Sequence, residues 1–209
     1  MYFNKNDISE ITDVTAEELE NAVNSLKEDN GLEGLGDYFI EAQDKYNINA
    51  IMLVAIACLE SAYGTSKLAI EKNNLFGLRA NDEYRDDPSK YGDYFSTKED
   101  CIDYACHKLR YQYLEEDEKA PWCYCNGETD IYSIGSIWCS NPEWGDYVVD
   151  LSARLSKVIE SERDSHIDYK AKYLKEKDKL DRIRAILNED EIDTYNLEDE
   201  EEDEPSYEY

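Results

Sequence analysis

Ten consecutive apolar residues, Ala50 to Leu59, run directly into a glutamate, giving AIMLVAIACLE over residues 50–60. A helix built from them has no polar face and must be buried on every side. The rest of the chain therefore has to form a shell of amphipathic helices around it. Asn47-Ile48-Asn49 offers the cap, and Tyr63-Gly64 offers a stop. Glu60 is the only acid between Lys45 and Glu71. A carboxyl group at the end of a buried helix loses solvation, which raises its pKa. A glutamate tuned in this way is protonated near neutral pH and serves as a general acid. A glutamate at a helix end that simply faces water is the alternative, and spacing alone leaves both open.

The shell is legible in the flanking sequence. Thr15-Ala-Glu-Glu18 has the capping-box pattern, so a helix is expected from Ala16 to about Leu26. A Gly-marked turn follows, then Asp37 to Tyr46 with Phe39, Ile40 and Ala42 on an apolar face. Residues 73–95 lose periodicity and gain Gly, Asn, Asp and Pro, as expected of a loop or small β-lobe. Helical spacing returns over Thr97–Leu114, with Cys101, Tyr104, Ala105 and Leu109 on one side. Residues 119–130 read as loop, Ile131–Trp138 as a short helix, and Trp144–Ile159 as a helix with Val148, Leu151, Leu155 and Val158 inward. The fold class expected is mainly α, an α+β helical domain with a small β-lobe over residues 1–159. After it come an extended charged helix or short coiled coil over 160–187 and a disordered acidic tail over 188–209.

Charge excludes several functions. The 22 Lys+Arg against 50 Asp+Glu give a formal charge of −28. A broad basic surface for nucleic acid or anionic lipid is ruled out. The twelve acids of 188–209, with no base among them, carry much of that excess. The N-terminus MYFNKNDISE has neither a basic region nor an apolar core of the secretory type, so synthesis in the cytoplasm is expected. Ile48–Leu59 is shorter than the roughly 20 residues needed to span a bilayer. Among the six cysteines no pair has CxxC spacing. Only His107 and His166 could complete a zinc set, so no metal or other cofactor is expected.

The residues after Glu60 narrow the reading. Glu60-Ser61-Ala62-Tyr63-Gly64-Thr65-Ser66, followed by Asn73-Asn74-Leu75-Phe76-Gly77, resembles the glucosaminidase family of peptidoglycan hydrolases, whose hallmarks are E-S-x-x-G-x-S and N-N-L-F-G. Residues 32–61 look like its lead-in, Tyr94-Phe95-Ser96 with Asp103-Tyr104 like the helix after its β-lobe, and residues 134–148 like its closing motif. The resemblance covers roughly residues 12–160. It implies a lysozyme-like fold and cleavage of the β-1,4 bond after N-acetylglucosamine in peptidoglycan glycan strands. It implies Glu60 as the catalytic acid and Asn74 and Phe76 beside the sugar groove. Tyr63, Tyr94, Trp138 and Trp144 are further candidates to line that groove. Many members carry a Tyr where this chain has Trp144, whose N–H only donates.

A glycosidase needs a second carboxylate or a substitute for one. The zone downstream offers Asp82, Glu83, Asp86, Asp87 and Asp93, of which Asp93 fits best by spacing; the substrate's own N-acetyl group is the substitute. Rival expectations are a lytic transglycosylase or muramidase on the same fold, or a non-catalytic structural or docking protein of a phage particle. The setting expected is a phage-encoded lysin, released to the cell wall or carried in the virion, with residues 160–209 available for self-association or docking.

Overall fold

The computed structural model describes residues 2–80, 92–115 and 127–198, with side chains as far as 187. The chain divides into two units, Met1–Ser161 and Glu162–Tyr209. The described residues are helices, turns and extended loop, with no strand among them. The elements are α1 (Ala16–Leu26), α2 (Gly36–Tyr46), α3 (Ala50–Ser61), α4 (Lys67–Lys72), α5 (Lys98–Lys108), a π-helical segment (Leu109–Leu114), α6 (Ile131–Trp138) and α7 (Trp144–Glu198).

Helix α3 is the axis of the first unit. Residues 50–58 are all 0–1% exposed. Asn49 caps it by accepting the Met52 N–H at 3.2 Å. The Asn49 amide N–H groups tie down the N-terminal segment through the carbonyls of Tyr2 and Glu10. Gln43 of α2, also buried, accepts the N–H groups of Thr12 and Ala50 and donates to the Thr12 carbonyl. A buried amide satisfied in this way carries little desolvation penalty and fixes the register of three segments at once. Helix α2 packs against α1, α3 and α5. The capping box at Thr15 and Glu18 is formed as expected.

Several elements differ from the sequence expectation. Helix α3 ends at Ser61, and its left-handed cap is Ala62 at φ 51, not Gly64. Gly64 is required for a different reason: it takes φ +75 with its backbone against Gly31, and a Cβ on it would stand 2.7 Å from the Gly31 carbonyl carbon. Helix α4, which no apolar period announces, starts on Ser66, whose hydroxyl accepts the Ala69 N–H. Tyr104 is exposed, while Cys101, Ala105 and Leu109 face inward. Helix α7 continues without a break through Ile159 and reaches Glu198, so the first part of the acidic segment expected to be disordered is helical. Extending an existing helix fixes one residue per hydrogen bond, which is far cheaper than nucleating one. Residues 199–209 lie outside the described residues, as does 81–91 of the expected β-lobe. In the second unit, the apolar residues Ile167, Leu174, Leu180, Ile183 and Leu187 of the expected charged helix or coiled coil are exposed.

Cys58, Cys101 and Cys106 are 0–1% exposed. Burial pushes the Cys58 thiol up to about 12 and the Cys101 thiol up to about 11. Such thiols stay protonated and behave as small apolar side chains. Cys123 and Cys125 lie outside the described residues.

Candidate active site

The segment after α3 explains its own sequence. The Ser61 hydroxyl donates to the Ala57 carbonyl and accepts the Gly64 N–H at 2.6 Å, which closes the turn. The Ser66 N–H returns to the Ser61 carbonyl at 2.9 Å. Ala62 and Tyr63 both take left-handed backbone, φ 51 and 61, a costly conformation that this turn over-determines. Glu60 is thereby held, half-buried, at the last turn of α3, behind the fully buried stretch 50–58.

The N-N-L-F-G turn is equally accounted for. Asn73 donates to the carbonyls of Phe95 and Ser96, both at 3.1 Å. Asn74 is 1% exposed. Its amide donates to the carbonyls of Leu78 and Asp93 and accepts the Leu78 N–H. Asn74 therefore shapes the wall from behind, with its amide N–H groups and its oxygen engaged by the backbone of Leu78 and Asp93. Leu75 and Phe76 anchor the turn in the core. Gly77, at φ +61, presents a bare Cα to Glu60, where a Cβ would stand 2.8 Å from Oε2.

The other side of Glu60 comes from far along the chain. The Asn141 side chain accepts the Glu143 N–H at 3.0 Å. Its carbonyl accepts the Trp144 N–H at 3.1 Å, which makes Trp144 the first residue of α7. Trp144 Nε1 donates to Glu60 Oε1 at 2.7 Å, and Trp138 Nε1, from the end of α6, donates to the same oxygen at 3.2 Å. The two indoles stack with centroids 6.3 Å apart, and Tyr113 of the π-helical segment leans on Trp138 at 5.6 Å.

The chemistry follows from this asymmetry. Burial pushes the Glu60 pKa above its ordinary value, and the Trp144 and Trp138 hydrogen bonds pull it part of the way back. Both donors sit on Oε1, so in the acid form the proton resides on Oε2, the oxygen beside Gly77. Glu60, Phe76 and Gly77 line a cleft of about 330 Å³ together with Arg79, Lys108 and Trp138. A second cleft of about 290 Å³, bounded by Tyr132, Ser136 and Pro142, shares Cys139 and Ser140 with the first. The two clefts meet at the Cys139-Ser140 segment, which lines both.

The expected site residues are thus placed unequally. Glu60, Phe76 and Trp138 line the cleft. Trp144, expected to offer a face to a sugar, is 3% exposed and instead holds the Glu60 carboxyl. Tyr63 is not among the cleft-lining residues; its ring lies 5.6 Å from Lys27 Nζ. Tyr94 is 68% exposed, also away from the described lining. Asp93 faces Arg79, with 3.5 Å between Oδ1 and Nη1. Asp82, Glu83, Asp86 and Asp87 lie outside the described residues. Sequence reasoning missed Arg79, Lys108 and Tyr113, none of which stands in a distinctive motif.

Trp144→Phe tests the electrostatic account directly. The indole N–H favours the carboxylate, so its loss is expected to move the Glu60 titration midpoint further up. Carboxyl-carbon NMR of the labelled protein reads this, and an unchanged or lower midpoint would contradict it. Trp138→Phe should shift the midpoint less, because its bond is longer.

Comparisons with known proteins give the family and the fold. A family model described as "Glucosaminidase: Mannosyl-glycoprotein endo-beta-N-acetylglucosaminidase" matches residues 36–157. Two Streptococcus pneumoniae chains, each with the provisional name endo-beta-N-acetylglucosaminidase, are 30% identical over 154 residues, 73% of this chain. The match spans only 22% and 21% of their lengths, so this chain corresponds to about a fifth of those relatives. Among solved structures, a catalytic mutant of Staphylococcus aureus Autolysin E with the disaccharide NAG-NAM aligns with TM-score 0.57 at 24% identity, over 75% of this chain and 73% of that one. Autolysin E with the muropeptide NAM-L-Ala-D-iGlu gives the same values. Autolysin E alone gives 0.56 at 25% identity, over 73% and 70%. The match over residues 36–157 takes in the buried helix, its terminal Glu60 and both indoles that grip it, and the chain belongs to the glucosaminidase family.

Proposed function

We propose that this chain is a peptidoglycan hydrolase that cleaves the β-1,4 glycosidic bond after N-acetylglucosamine, with Glu60 as general acid. The observation that carries the reading is the one-sided grip on Glu60. Oε1 takes both indole N–H groups, and Oε2 stands beside Gly77 in the wall of the cleft. A buried carboxyl with a raised pKa holds its proton closer to neutral pH, and its unengaged oxygen delivers that proton to a leaving glycosidic oxygen. The Autolysin E structures holding NAG-NAM and a muropeptide support the substrate class. Asp93 is the candidate second carboxylate, and the substrate's acetamido group is the substitute.

The expected product on purified cell walls is a fragment ending in reducing N-acetylglucosamine, identified by borohydride reduction and mass spectrometry. A 1,6-anhydro-muramic end would identify a lytic transglycosylase instead, and a reducing muramic end a muramidase. Asp93→Asn in the same assay assigns the second group. A loss as deep as that of Glu60→Gln makes Asp93 the partner; retained turnover favours the acetamido group.

A further inference from the structure

The second unit of the chain lies outside the family match, which ends at residue 157. Over its first part it is a stretch of α7, and every side chain from 164 to 187 is exposed. Apolar groups recur along that stretch at helical spacing. Tyr169, Tyr173, Leu180, Ile183 and Leu187 are 45–72% exposed. They fall on the a and d positions of a heptad, with Tyr173, Leu180 and Leu187 at a and Tyr169 and Ile183 at d. An apolar seam of this kind on an exposed helix marks a contact surface. The charges beside the seam say what it meets. Counted in the same frame, every e and g position from 170 to 184 is basic: Lys170, Lys172, Lys177, Lys179 and Arg184. The helix continues to Glu198, and every e and g position from 191 to 198 is acidic: Glu191, Asp193 and Glu198. The sign of the flanks thus reverses once, just after Leu187. Acids such as Asp178 and Asp181 lie on the outer positions and neighbour cations of the same helix; Asp178 pairs with Arg182 at 3.0 Å. Pairs within one helix are the same in a lone chain and in any assembly, so they do not select a partner.

We propose that this stretch of α7 pairs with the same stretch of a second copy, antiparallel, as a two-stranded coiled coil. The flanks decide the orientation. In a parallel pair each g position faces the e position five residues further along the partner helix. That would set Lys172 of one copy against Lys177 of the other, Lys179 against Arg184 and Asp193 against Glu198, all like charges. In an antiparallel pair e faces e and g faces g. With Ile183 packed on Leu187 of the second copy, Arg184 meets Glu191, Lys177 meets Glu198 and Lys179 meets Asp193. The two-fold axis repeats each of these pairs. A helix that carries both signs in this order is complementary to itself, whereas a different acidic helix would use only its basic half. Glu176 and Asp190 interrupt the seam at d positions, so apolar packing alone is modest and the charges set the register. The inference is independent of the glycosidase reading.

Sedimentation equilibrium of the full chain over a wide range of concentration tests this. The mass should rise from 24.3 kDa towards twice that value. Ile183→Asp combined with Leu187→Asp should hold the chain as a monomer. Both side chains are exposed in the lone chain, so its Tm should stay unchanged. Two charge-reversed chains test the pairing itself. One carries Lys177→Glu, Lys179→Glu and Arg184→Glu; the other carries Glu191→Lys, Asp193→Lys and Glu198→Lys. Each alone should self-associate at least roughly tenfold more weakly in Kd than wild type, and an equimolar mixture should associate again. Renewed association in the mixture also shows that neither chain has lost its helix. A wild-type chain that stays at 24.3 kDa at every concentration overturns the dimer, and leaves the seam to a different protein or to residues 199–209 of the chain itself. A dimer untouched by the Ile183 and Leu187 changes puts the contact elsewhere and overturns the seam. Self-association that survives both charge reversals, or a mixture that fails to associate, overturns the antiparallel pairing.

Discussion

Glu60→Gln is expected to lower cell-wall hydrolysis by on the order of 10³-fold while leaving the fold at least as stable as wild type. The amide matches the carboxyl in shape. Its oxygen still accepts from Trp138 and Trp144, so the indole pair stays in place. What disappears is the acidic proton beside Gly77, replaced by amide N–H groups that are not transferred. The stability sign follows from the pKa. Burial holds Glu60 above the ordinary carboxyl range. Between its unfolded and folded pKa values the folded chain binds more protons than the unfolded one, so the Glu60 contribution to stability falls as pH rises through that window. Above it, wild type carries a partly buried carboxylate that glutamine does not. A thermal melt at neutral pH should therefore give an equal or higher Tm for Glu60→Gln, and a melt at pH near 4 should show the two converging. A variant that loses activity together with several degrees of Tm would mean that Glu60 supports the fold and that its chemistry has not been tested.

The sequence revealed the acid far better than its surroundings. Ala50–Glu60 could only be a buried helix, and the caps at Thr15 and Asn49 are local signals that the structure repeats. The partners of Glu60 are not local. Trp144 lies 84 residues downstream and Trp138 lies 78. Helical spacing says that an aromatic faces inward, but it cannot say which buried acceptor its N–H will reach. Asn74 misled for a related reason. A motif asparagine beside a groove reads as a ligand contact, yet its side chain turns inward to hold Leu78 and Asp93. The same inward turn positions the stretch that carries Gly77 and Arg79. The motif is thus mostly architecture, and the groups that meet solvent in the cleft, Arg79 and Lys108, carry no pattern of their own.

Gly77→Ala separates architecture from chemistry most sharply, and is expected to cost about 100-fold in turnover. Two effects combine. The first is backbone strain: an L-residue at φ +61 is disfavoured by about 1 kcal/mol. The second is specific to this site. The new Cβ would lie 2.8 Å from Glu60 Oε2, closer than real methyl groups approach oxygen. A flexible side chain would ordinarily swing away, but Oε1 is pinned by the two indoles. Relief must lengthen the 2.7 Å bond from Trp144, or displace the turn that carries Leu78 and Arg79. Either move takes the proton-bearing oxygen out of the cleft, and the methyl also covers the path between Oε2 and a bound glycosidic oxygen. Gly34→Ala supplies the control. Gly34 has φ +76 and nothing within 4 Å of a Cβ, so alanine there meets the backbone strain without the collision. Its Tm should fall by a similar few degrees while hydrolysis stays at the wild-type level. If Gly77→Ala also hydrolyses at the wild-type rate, Oε2 is not the atom that delivers the proton, and the acid must work through the oxygen that Trp138 and Trp144 hold.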